Sequence, residues 1–282
     1  MPSVSIVLGE RYVKSSILCV RDTISDIINR ISKTNELSEL VKVFVSSIQQ
    51  SLSIRPTSAL LVNIFRDSLM YALNLVKQKR EFNVIREEII NRLKSLVDIA
   101  EESLDRAARI ASRRIVNNDK IMTISYSIGV LKALRYALQD GKKFEVFVLE
   151  SRPGCEGIEF AKELSQMGIP TTIIVDSAAR FYMKNITRVL IGAEAVAANG
   201  AVVNKVGTSI LALAANEARV RVFVIASTQK FSFETIHGEL IEIPTLDPKT
   251  ILPIELQNLH VKAFVPLFDV TPPEYIDAIA TE

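Results

Sequence analysis

One segment of the chain carries polar side chains of the kind that hold phosphate groups. Residues 190–209, "LIGAEAVAANGAVVNKVGTS", begin as a buried strand and then reach what should be the start of a helix. Four polar or turn-forming residues stand at that point: Asn204, Lys205, Gly207 and Thr208. A helix N-terminus offers unpaired N–H groups and a partial positive charge, so this segment predicts an anion site with phosphate as its natural guest. Arg152 could add a bidentate fork to the same anion.

Other polar side chains follow the predicted strands. Ser125 ends the first strand, Arg152 follows the second, and Glu194 follows the fourth. In an open parallel sheet, ligands bind beyond the carboxyl ends of the strands, so we expect these residues to share one edge. Each also has a structural interpretation, with Asn204 as a helix cap and Lys205 as a surface charge. Their joint placement on one edge favours a site.

The elements that must position these residues divide the chain in two. Up to residue 118 the apolar residues recur at helical spacing, which predicts a bundle of four or so helices. From residue 119 onward, short β-rich runs alternate with helices, which predicts a Rossmann-like, doubly wound parallel sheet. We therefore predict an α/β protein with a helical domain over 1–118 and a sheet domain over 119–282, the latter with the ligand pocket and an oligomer interface. The final segment, "KAFVPLFDVTPPEYIDAIATE", predicts a strand, a turn and a short helix.

Composition excludes several classes of function. Of 282 residues, 48% are apolar and the net charge is only +2, which gives no electrostatic case for nucleic acid or an anionic membrane surface. No apolar run reaches the ~18 to 20 residues needed to span a bilayer. The two His and two Cys lack metal-ligand spacing, and neither GxGxxG nor GxxxxGK[ST] occurs, so we expect no metal and no cofactor. Few cysteines and no signal-peptide pattern at the start predict a cytoplasmic protein.

Three stretches resemble a known family. They are "ESRPGCEGIEFAKELSQMGIPTTIIVDSAARFYM", "VLIGAEAVAANGAVVNKVGTSILALAA" and "PLFDVTPPEYIDAIATE", and "RPTSALLVN" extends the resemblance into the helical half. The family joins the alpha, beta and delta regulatory subunits of eukaryotic translation initiation factor 2B with the isomerases of methylthioribose 1-phosphate and ribose 1,5-bisphosphate. Within it, "TISYSI" and "GAE" resemble the alpha subunit most, as in an archaeal-type alpha-subunit-like member, whereas "SAARFYMK" and "HGELIEIPTLDP" resemble the ribose 1,5-bisphosphate isomerases.

The resemblance places two catalytic positions, and both depart from the isomerase pattern. Ser125 stands where the isomerases have a catalytic Cys, and Glu194 stands where they have an Asp. A thiol with a pKa near ~8.5 can exchange protons, whereas a serine hydroxyl titrates far higher and needs an activating base. The Glu194 carboxylate reaches one methylene further, and a misplacement of about 1 Å can cost on the order of 100-fold in rate. We therefore expect Ser125 and Glu194 to be inactive.

The ligand-binding positions are better preserved. The resemblance implies that Arg152, Asn204 and Lys205 contact substrate, and the turn through Gly207 and Thr208 is intact. Glu156 replaces a Gln that contacts the sugar, and the Arg-Gly-Ala phosphate loop of the isomerases has no counterpart in residues 1–40. We expect one phosphate to be held, with a phosphorylated sugar or a nucleoside monophosphate as the ligand. Asp269 is expected to brace the site or a dimer contact.

Three interpretations of function remain, and we favour the first. The first is a regulatory subunit resembling those of initiation factor 2B, with a sugar-phosphate or nucleotide pocket that has lost its isomerase chemistry. The second is an active ribose 1,5-bisphosphate isomerase with Glu194 as base and another acid in place of the thiol. The third is a binding protein with no role in translation. The resemblance also implies self-association, as a homodimer or a hexamer, and under the first interpretation contact with subunits of initiation factor 2.

Overall fold

The N-terminal part of the protein is a helical bundle. The computed structural model describes residues 15–238, 241–256 and 259–282. From residue 15 onward, four long helices precede the first strand, as the helical spacing predicts. They are α1 (Ser16–Ile31), α2 (Leu37–Ile54), α3 (Ala59–Lys77) and α4 (Phe82–Ser112).

The bundle forms because each helix carries an apolar stripe. In α1 the buried positions Val20, Ile24, Ile27 and Ile31 recur every three or four residues and pack into one core with the other helices. The start of α3 is fixed by Ser58, whose Oγ accepts a hydrogen bond from the backbone N–H three residues on. The turn before Ser58 brings the α2–α3 connection up against the sheet.

Helix α3 qualifies the expectation about membrane-spanning segments. By length and composition alone, Ala59–Lys77 is long and apolar enough to cross a bilayer, contrary to that expectation. Its side chains Leu60, Leu61, Ile64 and Phe65 are buried in the bundle core. Packing in the bundle accounts for these residues, whereas Met70, Leu73 and Val76 of the same helix are exposed.

The second part of the chain is built from strands and shorter helices. Their bounds, in chain order, are β1 (Asp119–Ile124), α5 (Ile128–Gln139), β2 (Phe144–Leu149), α6 (Glu156–Gln166), β3 (Thr171–Ile174), α7 (Ala179–Tyr182), β4 (Arg188–Gly192), β5 (Ala195–Val196), β6 (Val202–Lys205), α8 (Thr208–Glu217), β7 (Arg221–Ile225), β8 (Phe268–Thr271) and β9 (Ala278–Ala280). Gly141 and Gly168, just beyond α5 and α6, have positive φ, as glycines that end helices do.

Six strands form a parallel sheet in the order β3-β2-β1-β4-β7-β9. One face is covered by α5, α6 and the last turns of α4, and the other by α7 and α8. The doubly wound α/β architecture predicted from the sequence is therefore confirmed. The chain leaves β1 toward β2 and β3, then returns to place β4 on the other side of β1, so the topological switch point lies between β1 and β4.

Helix α4 belongs to both parts of the molecule. Its first turns pack in the bundle core, whereas Ala107, Ala108 and Ala111 pack in the core beneath the sheet. Small side chains there let the helix approach α5 closely. The predicted domain boundary after residue 118 stays a prediction, because this one helix is shared.

Two local predictions were wrong. The segment leading to α8 is not only a turn, since Val202–Lys205 forms β6, which pairs antiparallel with β5 and β8 in a small second sheet. The alternation of apolar residues there was too short to show against the Asn and Gly of the hairpin. The chain also closes with strand β9 and not a helix, because β7 offers an open edge to Ala278–Ala280.

Candidate functional site

The candidate site begins at Ser125, the residue that follows β1 at the switch point. Ser125 has a positive φ of 65°, and two residues of the neighbouring loop, Ser151 and Cys155, have φ of 69° and 55°. Left-handed backbone is uncommon outside glycine and clusters at functional sites. The Ser125 N–H donates to Ser151 Oγ at 2.7 Å, which ties the ends of β1 and β2 together.

The Ser125 hydroxyl contacts a buried carboxylate. Its Oγ donates to Glu156 Oε1 at 2.9 Å, and Lys205 Nζ lies 3.2 Å from the same oxygen. Glu156 Oε2 is also buried and has no hydrogen-bond partner among the described residues. The sequence predicted Glu156 as a sugar contact, and the structure places its carboxylate against Ser125 and Lys205.

Glycine at position 157 allows this contact. A Cβ on Gly157 would lie 1.9 Å from the carbonyl oxygen of Leu149, so any other residue would push the start of α6 away from the end of β2. Because Glu156 is the first residue of α6, that displacement would move its carboxylate away from Ser125. The position of Glu156 therefore depends on the absence of a neighbouring side chain.

Glu194, which follows β4, is held by an arginine from the helical bundle. Arg55 Nε donates to Glu194 Oε1 at 2.6 Å and Nη2 donates to Oε2 at 2.8 Å, and both side chains are buried. Burial alone would raise the pKa of Glu194, but the charge and hydrogen bonds of Arg55 prevail and lower it, with smaller contributions from Lys230 and Lys205. Glu194 is thus an ionised carboxylate at neutral pH.

A second cation lies beside Glu194. Lys230, in the turn after β7, donates from Nζ to the carbonyl oxygen of Ala193 at 2.5 Å and to Ser16 Oγ at 2.7 Å. Burial lowers the pKa of Lys230 to about 8, while the carboxylate of Glu194 opposes that shift. This contact joins the start of α1 to the loop after β4, so the site lies where bundle and sheet meet.

The predicted anion site at the start of α8 is occupied by the protein itself. Gly207 N–H donates to Asp269 Oδ2 at 2.8 Å and Ser209 N–H donates to the same oxygen at 3.1 Å. Thr208 Oγ1 accepts from Asn204 Nδ2 at 3.1 Å and donates to the carbonyl oxygen of Lys205 at 2.5 Å. Asp269 therefore braces the helix start. The phosphate-binding role expected of these residues stays a prediction.

Arg152 is the predicted site residue that the structure does not bring into the cluster. Its side chain is exposed, and its Nη1 lies 3.9 Å from Cys155 Sγ. Its backbone N–H donates to Asp176 Oδ2 at 2.6 Å, and the Ser151 N–H donates to Asp176 Oδ1 at 2.8 Å. Asp176 holds the loop in place, so a phosphate contact by Arg152 would require its side chain to swing inward.

A small cavity of about 30 Å³ lies between these groups, lined among others by Ser125, Glu194, Asn204, Lys205 and Lys230. That is the space of about one water molecule, whereas pockets for small-molecule ligands measure several hundred Å³. Arg55 and Phe268 close it from the bundle and β8 sides, with the guanidinium 6.0 Å from the ring centroid. A sugar phosphate could enter only if bundle and sheet moved apart or these side chains rearranged.

Sequence reasoning missed two of the charged residues in this cluster. Arg55 lies just before the "PTSALLVN" part of the stretch that carried the family resemblance, so that stretch was the available signal. Lys230 sits in a connection without a motif and had no such signal. The search for an Arg-Gly-Ala loop falls partly on residues 1–14, outside the described residues. Within the described ranges, no three His, Cys, Asp or Glu side chains are grouped to hold a metal ion.

Comparison with known proteins identifies the family. Residues 15–282 match the Initiation factor 2 subunit family. The chain belongs to this family. A solved structure described as the Pyrococcus horikoshii translation initiation factor eIF-2B is 26% identical and superposes with a TM-score of 0.82, covering 100% of this chain and 95% of that one. The predicted resemblance is confirmed, and so is the architecture.

The relatives divide between two kinds of protein, as the sequence motifs suggested. A ribose 1,5-bisphosphate isomerase of Pyrococcus furiosus is 38% identical, over 89% of this chain and 78% of the relative. The translation initiation factor eIF2B subunit alpha of Caenorhabditis elegans is 30% identical, over 95% of this chain and 88% of the relative.

The favoured interpretation of the chain as a regulatory subunit of translation initiation was wrong. Six archaeal relatives, 35 to 41% identical over most of the chain, are ribose 1,5-bisphosphate isomerases. The first interpretation rested on short sequence motifs around Ser125 and Glu194, and similarity over most of the chain outweighs these motifs.

Proposed function

We propose that the protein is a sugar-phosphate isomerase that converts ribose 1,5-bisphosphate into the corresponding ketose. The observation that carries the proposal is the buried, ionised Glu194 at the switch point, which faces the same small cavity as Ser125 and two lysines. Similarity to six isomerases over most of the chain supports the same activity. Departure from the Cys and Asp of the family pattern then alters the chemistry without abolishing it.

The reaction requires an acid at the ring oxygen and a base at the 2-hydroxyl of the sugar. Conversion of the cyclic aldose to the ketose breaks the bond between C1 and the ring oxygen, and the ring oxygen takes up a proton. The 2-hydroxyl loses its proton as its carbon becomes a carbonyl, and the hydrogen on C2 moves to C1 with its bonding electron pair. Positioned groups of suitable pKa contribute about 10²- to 10⁴-fold to each such proton transfer.

Glu194 suits the base. Because Arg55 lowers its pKa and holds both carboxylate oxygens, Glu194 is ionised and fixed in direction before substrate arrives. A guanidinium can shift to one oxygen and leave the other to accept the 2-hydroxyl proton. The extra methylene relative to Asp is accommodated by the long reach of Arg55 from the α2–α3 connection.

Ser125 serves as a hydrogen-bonding residue and not as the acid. Its hydroxyl donates to Glu156, so its lone pairs are directed away from that carboxylate and can accept from a sugar hydroxyl. Lys205 and Asn204, at the end of β6, supply donors for a phosphate oxygen, with Arg152 at the rim. Gly207 and Thr208 contribute through the start of α8, where the phosphate would compete with Asp269.

The experiment is a proton NMR time course of the purified protein with ribose 1,5-bisphosphate. We expect the signals of two hydrogens on C1 of ribulose 1,5-bisphosphate to appear, and Glu194→Gln to slow their appearance by about 100-fold or more. Asp67→Asn is the matched control, since it makes the same chemical change in another arginine-paired carboxylate away from the site. Absence of conversion by the unmodified protein would contradict the proposed activity.

The ligand and partners follow from this activity as proposals. The ligand is a phosphorylated sugar, with a nucleoside monophosphate as the second candidate. Self-association of this chain, as a dimer or hexamer, is part of the proposal, and one structure of similar fold is an oligomer, the tetrameric eIF2B-beta2-delta2 complex of C. thermophilum. We place the protein in the cytoplasm. Contact with initiation factor 2 depended on the first interpretation and stays an untested prediction.

A further inference from the structure

We propose that Lys230 is the acid that protonates the ring oxygen when the sugar opens. The inference rests on the proposed isomerase function and supplies the group that the absent thiol leaves unassigned. Lys230 lies in the turn that follows β7. Strand β7 is next to β4 in the sheet. It reaches the candidate site from the opposite side to Ser125.

The position of Nζ is fixed by the protein. It donates to the carbonyl oxygen of Ala193, the residue immediately before Glu194, and to the hydroxyl of Ser16 at the start of α1. Lys230 and Glu194 line the same cavity. An acid and a base held on one wall of a site can serve the ring oxygen and the 2-hydroxyl of one sugar at the same time.

One proton of the ammonium group is left for a ligand. A lysine side chain has three donors, and two of them meet the oxygens of Ala193 and Ser16. The third can be directed into the cavity. A buried lysine with a purely structural role would be expected to direct all of its donors at protein oxygens.

The charges around Lys230 make its ammonium a ready proton donor. The groups that face it are Glu194, whose carboxylate favours the protonated form, and Arg55, whose charge disfavours it, with Lys205 acting on the same carboxylate. Burial outweighs these effects and lowers the pKa of Lys230 to about 8. Such a group is mostly protonated at neutral pH, yet releases its proton far more readily than an exposed lysine.

The other polar residues of the cluster suit this role less well. Arg55 stays protonated at all ordinary pH values, and Glu194 is ionised. Lys205 pairs with Glu156 and lies over the ring of Phe268, with Nζ 5.6 Å from the ring centroid. These contacts already engage Lys205 Nζ, which suits it to binding an anion and not to serving the ring oxygen.

The proton balance closes within the site. As the C1–oxygen bond breaks, its electron pair stays with the ring oxygen, which takes the proton from Lys230 Nζ. Glu194 receives the proton of the 2-hydroxyl while the C2 hydrogen moves to C1 with its bonding electron pair, so C2 is oxidised and C1 is reduced. The cycle then leaves a neutral lysine and a protonated carboxylate. Transfer of that proton from Glu194 to Lys230 restores the starting state, so no oxidant, reductant or further reactant is needed.

The test compares Lys230→Met, Lys230→Arg and Lys230→Ala with Lys249→Met, which replaces an exposed lysine. We expect the Met and Arg variants to lose about 10²- to 10⁴-fold in kcat while KM for ribose 1,5-bisphosphate changes only a few-fold. Arginine retains the charge and most of the contacts but cannot release a proton, so a low kcat in Lys230→Arg separates acid chemistry from charge.

Two further readouts distinguish an acid from a structural residue. The kcat of the unmodified protein should fall with rising pH around the pKa of Lys230, and this alkaline limb should be absent in Lys230→Arg. Added methylammonium should restore part of the kcat of Lys230→Ala, because the truncated side chain leaves room for a small amine, and Lys249→Met should not respond. Unchanged melting temperatures of the variants would show that the fold is retained.

The outcomes separate this inference from the proposed function. If the unmodified protein isomerises ribose 1,5-bisphosphate and Lys230→Met does so equally well, the role of Lys230 is wrong and the function stands. A lower melting temperature with no amine rescue and an unaltered alkaline limb would also overturn it, in favour of a structural lysine. If the unmodified protein shows no turnover, the proposed function itself fails and the acid role fails with it.

Discussion

Two arginine–carboxylate pairs of the same geometry lie in two different regions of the molecule. In one, Arg55 of the bundle holds Glu194 of the sheet, with distances of 2.6 and 2.8 Å. In the other, Arg92 of α4 holds Asp67 of α3 on the outer face of the bundle, also at 2.6 and 2.8 Å. Each arginine also lies near an aromatic ring, Phe268 or Tyr71, with ring centroids 6.0 and 5.6 Å from Cζ.

Burial is what separates the two pairs. The side chains of Arg55 and Glu194 are 9% and 4% exposed, whereas those of Arg92 and Asp67 are 36% and 38% exposed. Ions in contact with water gain little from pairing, because solvent already stabilises each charge. Ions removed from water depend on each other, and removal of one leaves the other without compensation. Identical hydrogen bonds therefore have very different consequences.

A contribution to stability alone does not explain why a buried ion pair occupies this position. An apolar pair of similar volume in such a place is often equally stable or more stable. Arg55 and Glu194 lie 139 residues apart in the chain and join the bundle to the sheet at the switch point. A base must be ionised and correctly oriented, and Arg55 holds Glu194 in that state. We therefore attribute the presence of this ion pair to the proposed chemistry.

The largest expected effect is that of Glu194→Gln. It removes the carboxylate that compensates Arg55 and Lys230, so we expect the free energy of unfolding to fall by about 3 to 5 kcal/mol. Urea denaturation followed by circular dichroism measures the change. Glu194→Asp keeps the negative charge, so its free energy of unfolding should fall by less than that of Glu194→Gln. A loss below about 1 kcal/mol for Glu194→Gln would mean that the buried pair behaves like a surface pair.

A smaller effect, visible as a pH dependence, is expected at Asp269. Burial raises its pKa from 3.8 to about 6, although the N–H groups of Gly207 and Ser209 oppose the shift. Since the folded protein binds this proton more tightly than the unfolded chain, its contribution to stability is present below about pH 4 and is lost as pH rises through about 6.

Asp269→Asn tests this sign directly. Asparagine does not titrate, so the variant should not lose stability as Asp269 does when the pH rises. Its free energy of unfolding, relative to that of the unmodified protein, should therefore increase by on the order of 2 kcal/mol between about pH 4 and pH 7. Thermal melts across this pH range measure the difference. An improvement as pH falls, and not as it rises, would contradict a raised pKa and indicate that the backbone N–H groups prevail over burial.

The sequence predicted the architecture well because periodicity encodes it. The recurrence of Val20, Ile24, Ile27 and Ile31 in α1 is a direct record of one buried helix face. Runs such as Phe144–Leu149 predict parallel strands because strands buried on both faces need nearly continuous apolar residues. The strands β6 and β9 were missed, since a few residues of extended chain carry too little pattern and depend on the edges offered by distant strands.

The candidate site was predicted only in part, for a physical reason. Residues that follow strands, such as Ser125 and Glu194, can be found by rule, because the carboxyl ends of parallel strands meet at one edge. The residues that pair with them cannot be found by such a rule. Arg55 and Lys230 reach Glu194 from elements 139 and 36 residues away in sequence, and that proximity depends on how the bundle docks on the sheet.

The smallest expected effect completes the comparison. Asp67→Asn breaks the exposed pair, and we expect it to change the free energy of unfolding by about 0 to 1 kcal/mol, because water stabilises Arg92 once its partner is lost. Urea denaturation at low salt and at about 1 M NaCl measures both the effect and its screening. The cost of Asp67→Asn should shrink at high salt, while that of Glu194→Gln should persist, since ions do not enter the buried contact. A salt-independent loss at Asp67 as large as that at Glu194 would show that hydrogen-bond geometry, and not burial, sets the energy of both pairs.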